Sequence, residues 1–182
     1  MSEYTFTYIV SGLDAHDEDF ADRLFEAGCS DATIMLVNGL VAVCFARDAE
    51  SYAHAVVSAH NELITTGGRI ERFEPDFLVS KAEIAKRAGL TRAAIGHYVS
   101  GERGKAFPPP LARVMSSSPL WDWVEVSAWL HEKGDVSREE VVNARISRVI
   151  NWTVQRTGAA LRDSDLDILK AMKGVRAVSP AA

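Results

Sequence analysis

The chain has 182 residues, of which 47% are hydrophobic and 25% charged, and its net charge at pH 7 is −5. That length gives room for one or two globular domains, and the composition excludes a disordered or fibrous chain. No apolar run approaches the ~20 residues that span a bilayer, and no secretory signal precedes the first strand pattern. Cys29 and Cys44 lack metal-ligand spacing and are interpreted as reduced thiols, so a cytoplasmic protein is predicted.

Charge is distributed unevenly along the chain. Residues 1–78 carry 4 basic and 14 acidic side chains, a balance of −10. Residues 79–134 carry 8 basic and 5 acidic side chains, and residues 135–182 carry 8 and 6. The acidic first part would be repelled by phosphate, whereas the basic middle part suits contact with a polyanion. The overall acidity therefore does not exclude a nucleic-acid partner.

The first 77 residues alternate between strand and helix patterns. The predicted order is β-α-β-β-α-β, over residues 4–11, 17–27, 32–37, 40–46, 51–65 and 69–73. Asn38-Gly39 is a hairpin turn signal between the two middle strands. This order predicts a ferredoxin-like α+β sandwich over residues 1–77, with two helices on one face of a four-stranded sheet. In outline it resembles ACT-type regulatory domains, which dimerise or bind a small ligand.

An acid-rich run at residues 14–22 precedes the first predicted helix. We interpret it as a solvated helix start, where acids favour the helix dipole, with a divalent-cation site as the alternative. No Gly-rich phosphate loop, HExxH or paired CxxC motif occurs in the sequence. We therefore predict no enzymatic activity, no cofactor and no metal.

Residues 81–100, KAEIAKRAGLTRAAIGHYVS, predict two short helices joined by a tight turn. Gly89 ends the first helix, because glycine adopts the left-handed backbone without steric cost. Leu90 fills the corner, and Thr91 caps the second helix through its hydroxyl. Ala85 lies where two closely crossing helices leave no room for a larger side chain. This is the layout of a DNA-reading helix-turn-helix.

The outer side of the second helix carries small, polar or cationic residues, namely Thr91, Arg92, Ala93, Gly96, His97 and Ser100. A helix that enters the major groove needs small side chains for close approach and a few donors for phosphates and base edges. The pattern therefore indicates DNA binding. The alternative is a plain two-helix corner inside a larger all-α domain.

A hairpin is predicted after the second helix. Phe107 and the three following prolines stop any helix or central strand. Residues 111–115 and 120–123 then predict two strands around a turn at 116–119. Cations accompany this loop and hairpin at Arg103, Lys105 and Arg113. They suit phosphate or minor-groove contact, and a solvated basic loop is the alternative.

Residues 78–134 resemble the winged helix-turn-helix of MerR-type regulators and phage excisionase-like (AlpA-like) proteins. The resemblance is carried by the IAKRAGLT corner, the FPPPL segment, the Leu120-Trp121 strand and the VEVSAWL helix. It implies a winged helix-turn-helix domain that binds double-stranded DNA. The chain departs from the family in two ways: Arg92 is the one arginine on the outer side of the second helix, and the long coiled-coil effector tail is missing.

The last segment, residues 135–182, predicts helices. A capping box at Ser137–Glu140 begins one that Gly158 ends, and a shorter helix follows through Met172. Their apolar stripe is predicted to pack either on the winged helix or on a second protomer. A twofold dimer would suit paired half-sites on DNA.

The sequence thus predicts a sequence-specific DNA-binding protein that regulates transcription as a homodimer. The predicted contacts are Lys81, Lys86, Arg87, Thr91, Arg92, His97, Ser100, Arg103, Lys105 and Arg113. One alternative is a protein-interaction adaptor or antitoxin-like module, whose helix-turn-helix would bind protein. Another is a regulator that senses a small-molecule effector through the N-terminal sandwich.

Overall fold

The structure is a computed structural model that describes residues 1–14, 17 and 19–157. Over these residues the protein is a mixed α+β chain with a four-stranded antiparallel sheet and six helices. It divides into two compact units. The first comprises Met1–Pro75 with the described residues from Val149 on, and the second is Asp76–Arg148. The predicted segment from residue 135 is therefore shared between the units, and its predicted second helix, through Met172, lies outside the described residues.

The first unit confirms the predicted order of strands and helices. The elements are β1 (Ser2–Ser11), α1 (Phe20–Glu26), β2 (Ala32–Val37), β3 (Leu40–Ala49), α2 (Tyr52–Thr65) and β4 (Arg69–Glu74). The strands lie in the order β2-β3-β1-β4, and each neighbouring pair is antiparallel. Asn38 and Gly39 have φ angles of 52° and 79°, as the two-residue turn between β2 and β3 requires.

The core of this unit lies on one face of the sheet. Phe6, Tyr8 and Val10 of β1 are buried because alternate side chains of a strand point to the same face. The Tyr8 hydroxyl donates a hydrogen bond of 3.0 Å to the Val56 carbonyl of α2, which places α2 on that face. Cys29 and Cys44 are both free, as predicted. Burial, reinforced by the charge of nearby Glu62, raises the pKa of the Cys29 thiol to about 11.

The second unit contains β5 (Leu78–Val79), α3 (Lys81–Arg87), α4 (Arg92–Val99), β6 (Trp121–Asp122), α5 (Trp123–Glu132) and the beginning of α6 (Arg138–Thr157). Its core includes the fully buried side chains of Ile84, Ile95, Trp121, Trp123 and Leu130. Among the described helices there is none with the length and apolarity needed to cross a bilayer.

The predicted hairpin over residues 111–123 is shorter than expected. Ala112 and Leu120 form an isolated bridge. Arg113 follows with a φ of 53°, so the chain leaves the extended conformation after that bridge. Trp121 and Asp122, expected to continue the return strand, pair instead with Val79 and Leu78 of β5, which was not predicted. Trp123, also expected in that strand, begins α5.

The apolar stripe of α6 is buried within its own chain. Its members Val141, Ala144, Ile146, Ile150 and Val154 are each at most 7% exposed. Ala144 joins the core of the second unit, in line with the predicted packing on residues 78–134, whereas Trp152 on the same helix is 50% exposed, and the predicted contact with a second protomer stays a prediction. One half of the predicted capping box is present, because the Ser137 hydroxyl accepts a 3.1 Å hydrogen bond from the Glu140 amide, while the Glu140 carboxylate accepts a 2.8 Å hydrogen bond from the Trp123 indole.

Candidate nucleic-acid interface

A capping box fixes the start of α3. The Ser80 hydroxyl accepts a hydrogen bond from the Glu83 amide, and the Glu83 carboxylate accepts one of 2.7 Å from the Ser80 amide. Partial burial opposes ionisation of Glu83, but the hydrogen bonds with Ser80 outweigh it and lower the pKa of that carboxyl. This capping box was not predicted, although the S-x-x-E spacing of Ser80 and Glu83 is its sequence signature.

The corner between α3 and α4 has the predicted construction. Gly89 adopts a φ of 65°, and the Leu90 amide donates a 2.9 Å hydrogen bond back to the Ala85 carbonyl. This six-to-one bond closes α3 as a Schellman motif. The Thr91 hydroxyl accepts a 3.1 Å hydrogen bond from the Ala94 amide and so caps α4. Ala85 is 3% exposed, in agreement with the tight crossing expected there.

The outer side of α4 is exposed and carries mostly small side chains. Ile95 and Tyr98 are buried, whereas the exposed residues are Thr91, Arg92, Ala93, His97, Val99 and Ser100. Gly96 lies in the middle of the helix, and a Cβ atom added there would meet no atom within 4 Å. Packing therefore does not require glycine at this position, although glycine inside a helix costs about 1 kcal/mol relative to alanine.

Six of the ten predicted contact residues are exposed cations whose charged groups form no hydrogen bond or ion pair in the described part of the chain. They are Lys81, Lys86, Arg92, Arg103, Lys105 and Arg113. An exposed cation without an acidic partner keeps its charge available to phosphate. Arg92 is the first residue of α4, immediately after the Thr91 cap.

The other four predicted contacts are engaged within the unit: the Thr91 hydroxyl caps α4, the Ser100 hydroxyl donates a 3.2 Å hydrogen bond to the His97 carbonyl, and Arg87 and His97 have side-chain partners. The Arg87 guanidinium lies 5.6 Å from the centroid of the Trp123 ring, as in a cation–π contact with the core. His97 Nδ1 lies 2.6 Å from Glu102 Oε2. Hydrogen bonds with His97 and Ser100 lower the pKa of the Glu102 carboxyl, which would repel a phosphate at this point. His97 and Arg87 are thus poorer candidates for phosphate contact than the six unpaired cations.

The loop after α4 lies on Trp129 of α5. The Trp129 indole donates a 3.1 Å hydrogen bond to the Lys105 carbonyl. Gly104 has a φ of 81°, and a Cβ atom there would stand 3.1 Å from the Trp129 ring and 3.2 Å from Lys133 Cε. The Lys133 ammonium lies 4.4 Å from the centroid of the same ring. Lys133 therefore joins Arg103 and Lys105 at this loop. Lys133 was not among the predicted contacts, although its position four residues after Trp129 on a helix indicates that the two side chains are neighbours.

The aromatic residues of this unit serve packing. The ring centroid of Trp129 lies 4.9 Å from that of Tyr98 and 5.1 Å from that of Phe107. The Trp121 indole donates a 3.1 Å hydrogen bond to the Pro108 carbonyl and so anchors the proline run. These contacts hold the loop that carries the cations and leave Trp121 no role in base stacking.

The first unit offers little chemistry for a ligand. A shallow cavity of about 500 Å³ on its sheet is lined by Thr5, Thr7, Thr33, Cys44 and Glu74, among others. Among the described residues, no three His, Cys, Asp or Glu side chains are grouped so as to hold a metal ion. A small-molecule effector remains a prediction. Comparison with protein-family models, with characterised proteins and with solved structures finds no match to this chain.

Proposed function

We propose that the chain is a sequence-specific DNA-binding protein that regulates transcription as a homodimer, and that α4 enters the major groove. The observation that carries this proposal is the outer side of α4. Arg92 lies at the start of this surface, and small residues follow it around Gly96. Glycine at position 96 lowers the stability of the helix, and packing does not require it. A helix surface with such small side chains can approach the base edges on the floor of the major groove closely.

The distribution of charge supports the same function. The six unpaired cations, together with Lys133, all lie between residues 81 and 133 of the second unit. Residues 1–75 carry 4 basic and 13 acidic side chains, a charge balance that disfavours contact with phosphate. The proposal assigns the chain no catalytic activity.

We further propose that the first unit is a ferredoxin-like sandwich and that the second contains a winged helix-turn-helix. A strand order of β2-β3-β1-β4 with two intervening helices supports a ferredoxin-like sandwich for the first unit. The corner of α3 and α4, followed by the bridge between Ala112 and Leu120, supports a helix-turn-helix with a very short wing. Arg113 lies at the turn of that wing, beside the 99% exposed Met115, where it would contact the backbone or the minor groove.

The test is binding of the full chain to labelled random duplex DNA, followed by fluorescence anisotropy over a series of salt concentrations. We expect affinity to fall steeply with salt, with a log–log slope no steeper than about −5 per protomer if each unpaired cation meets one phosphate. Selection of bound fragments from random DNA would then identify the preferred site. Absence of binding at about 50 mM salt would contradict the proposal and favour the adaptor or antitoxin-like alternative.

Replacing Gly96 with alanine separates stability from DNA binding. Because the added methyl group meets no atom within 4 Å, we expect the variant to be more stable, by about 0.5–1 kcal/mol in urea unfolding. We expect its affinity for DNA to fall, because the methyl group would hold the groove floor away. A general folding defect would lower both quantities. An affinity that stays constant or rises would remove α4 from the contact.

A further inference from the structure

The two edges of the four-stranded sheet differ. At β4, the Asn151 side-chain amide accepts a hydrogen bond from the Phe73 amide and donates one to the Phe73 carbonyl, both of 2.9 Å. Charged residues also occur along this strand, at Arg69, Glu71, Arg72 and Glu74. Both features discourage the addition of a further strand. The β4 edge is therefore protected against pairing.

The β2 edge has none of this protection in the described residues. Residues 32–46, which form β2, its turn and most of β3, contain no charged side chain. The apolar residues Met35, Leu36, Val37 and Leu40 are exposed by 48, 55, 40 and 41%. A long edge strand with apolar side chains, no proline and no charge is a template for pairing with another chain.

Backbone groups of β2 also point outward. In a two-residue hairpin, Val37 and Leu40 form the hydrogen-bonded pair next to the turn, and pairs of the two kinds alternate from there. The amides and carbonyls of Ile34 and Leu36 consequently face away from β3. In the part of the chain that the structure describes, neither residue makes a backbone hydrogen bond outside the strand. A partner strand would satisfy these groups.

Charge identifies the kind of partner. Asp31 and Arg47 flank the uncharged segment, and they form an ion pair with each other, with 2.7 Å between Arg47 Nε and Asp31 Oδ2. The rest of residues 1–75 is strongly acidic, which disfavours a nucleic acid or an anionic membrane as the partner of the β2 edge. For the same reason two copies of this chain would repel each other over most of the first unit, and the β2 edge is where that repulsion is weakest.

We propose that β2 pairs antiparallel with β2 of a second copy of this chain, so that two four-stranded sheets join into one of eight strands. A twofold axis at Ile34 sets Ala32 against Leu36 and Thr33 against Met35 of the other copy. Leu36 and Met35 then each face a smaller side chain, and Ile34 faces Ile34 of the other copy, which makes the strand complementary to itself. This inference supplies the interface for the dimer of the proposed function, and it does not require that the dimer bind DNA.

The test is sedimentation velocity of the full chain without DNA, over a range of concentrations. We expect a dimer, and we expect Leu36→Lys to convert it to a monomer because lysine charges the edge in both copies. Met115→Lys is the matched control, because Met115 is 99% exposed in the second unit. It should leave the dimer intact, and circular dichroism should show both variants folded. Hydrogen exchange adds a local readout: the Ile34 and Leu36 amides should be protected in the dimer and exchange rapidly in Leu36→Lys.

A chain that is monomeric at every concentration, with rapidly exchanging Ile34 and Leu36 amides, would overturn the proposal and leave the edge to a strand of a different protein. A dimer that survives both Leu36→Lys and Met35→Lys would overturn it as well, because the contact would then lie elsewhere. DNA binding is measured separately. A β2 dimer that fails to bind DNA contradicts the proposed function and leaves this inference standing.

Discussion

Replacing Arg47 with methionine should destabilise the first unit by about 3 kcal/mol. The Arg47 side chain is 9% exposed on β3. Its Nε and Nη2 atoms donate hydrogen bonds of 2.7 and 2.8 Å to the two carboxylate oxygens of Asp31, and Nη2 donates another of 2.6 Å to Glu62. The hydrogen bond with Asp31, above all, raises the pKa of Arg47, so the guanidinium stays charged at any pH at which the protein folds.

The large effect arises from what the substitution leaves behind. Methionine fills much of the space, but Asp31 and Glu62 then face each other without a cation, and each is less than a third exposed. An uncompensated carboxylate in such a place costs far more than the loss of a surface ion pair. The triple variant Arg47→Met, Asp31→Asn, Glu62→Gln removes both charges and should recover most of the lost stability.

Hydrogen exchange of the β1 and β3 amides measures this effect within the first unit alone. The matched control is Arg69→Met on β4, because the Arg69 side chain is 64% exposed and pairs with Glu71 at 3.4 Å. That variant should change stability by no more than about 0.5 kcal/mol. Equal effects of the two arginine substitutions would show that the buried network contributes nothing particular to stability.

Local patterns made much of the fold predictable. The order of the first six elements, the Asn38-Gly39 turn and the Gly89 corner each depend on residues close together in sequence. The Arg47 network could not be predicted in this way, because Asp31 and Glu62 lie 16 and 15 residues from Arg47 and meet it only in the folded sheet. The β5–β6 pair joins Leu78 to Asp122, and two-residue strands leave no period to detect.

In the candidate interface, too, features set by local spacing could be predicted, and features set by tertiary contacts could not. The exposure of Arg92 and His97 follows from helical spacing around the buried Ile95 and Tyr98, and the sequence therefore predicts it. Which cations are engaged does not follow from spacing. Arg87 lies against Trp123, 36 positions further along the chain, and its contact depends on how α3 packs in the core. The partner of His97 is only five residues away, but it lies beyond the helix end in a loop without a period.

Replacing Arg92 with alanine should lower affinity for the preferred DNA site by about 1–3 kcal/mol, or about five- to 150-fold, if the guanidinium contacts a base edge. Arg92 is the first residue of α4, is exposed, and has no acidic partner in the described residues. The N-terminal residues of a recognition helix are those that reach base edges, and arginine can bind guanine through two hydrogen bonds. Loss of these two hydrogen bonds should relax the base specificity at one position of the DNA site.

Arg138 provides a closely matched control. It is likewise exposed and is the first residue of a helix, α6, after a hydroxyl cap from Ser137 that parallels the Thr91 cap of α4. It lies outside residues 78–134, so Arg138→Ala should leave the affinity for DNA nearly unchanged. Arg92→Lys distinguishes the two kinds of contact, because lysine keeps the charge and loses the two-pronged geometry. If Arg92 meets a phosphate, Arg92→Lys should bind almost normally, and Arg92→Ala should reduce the salt slope by about 1 for every sequence. If Arg92→Ala and Arg138→Ala bind DNA equally well, α4 does not enter the groove from its first turn.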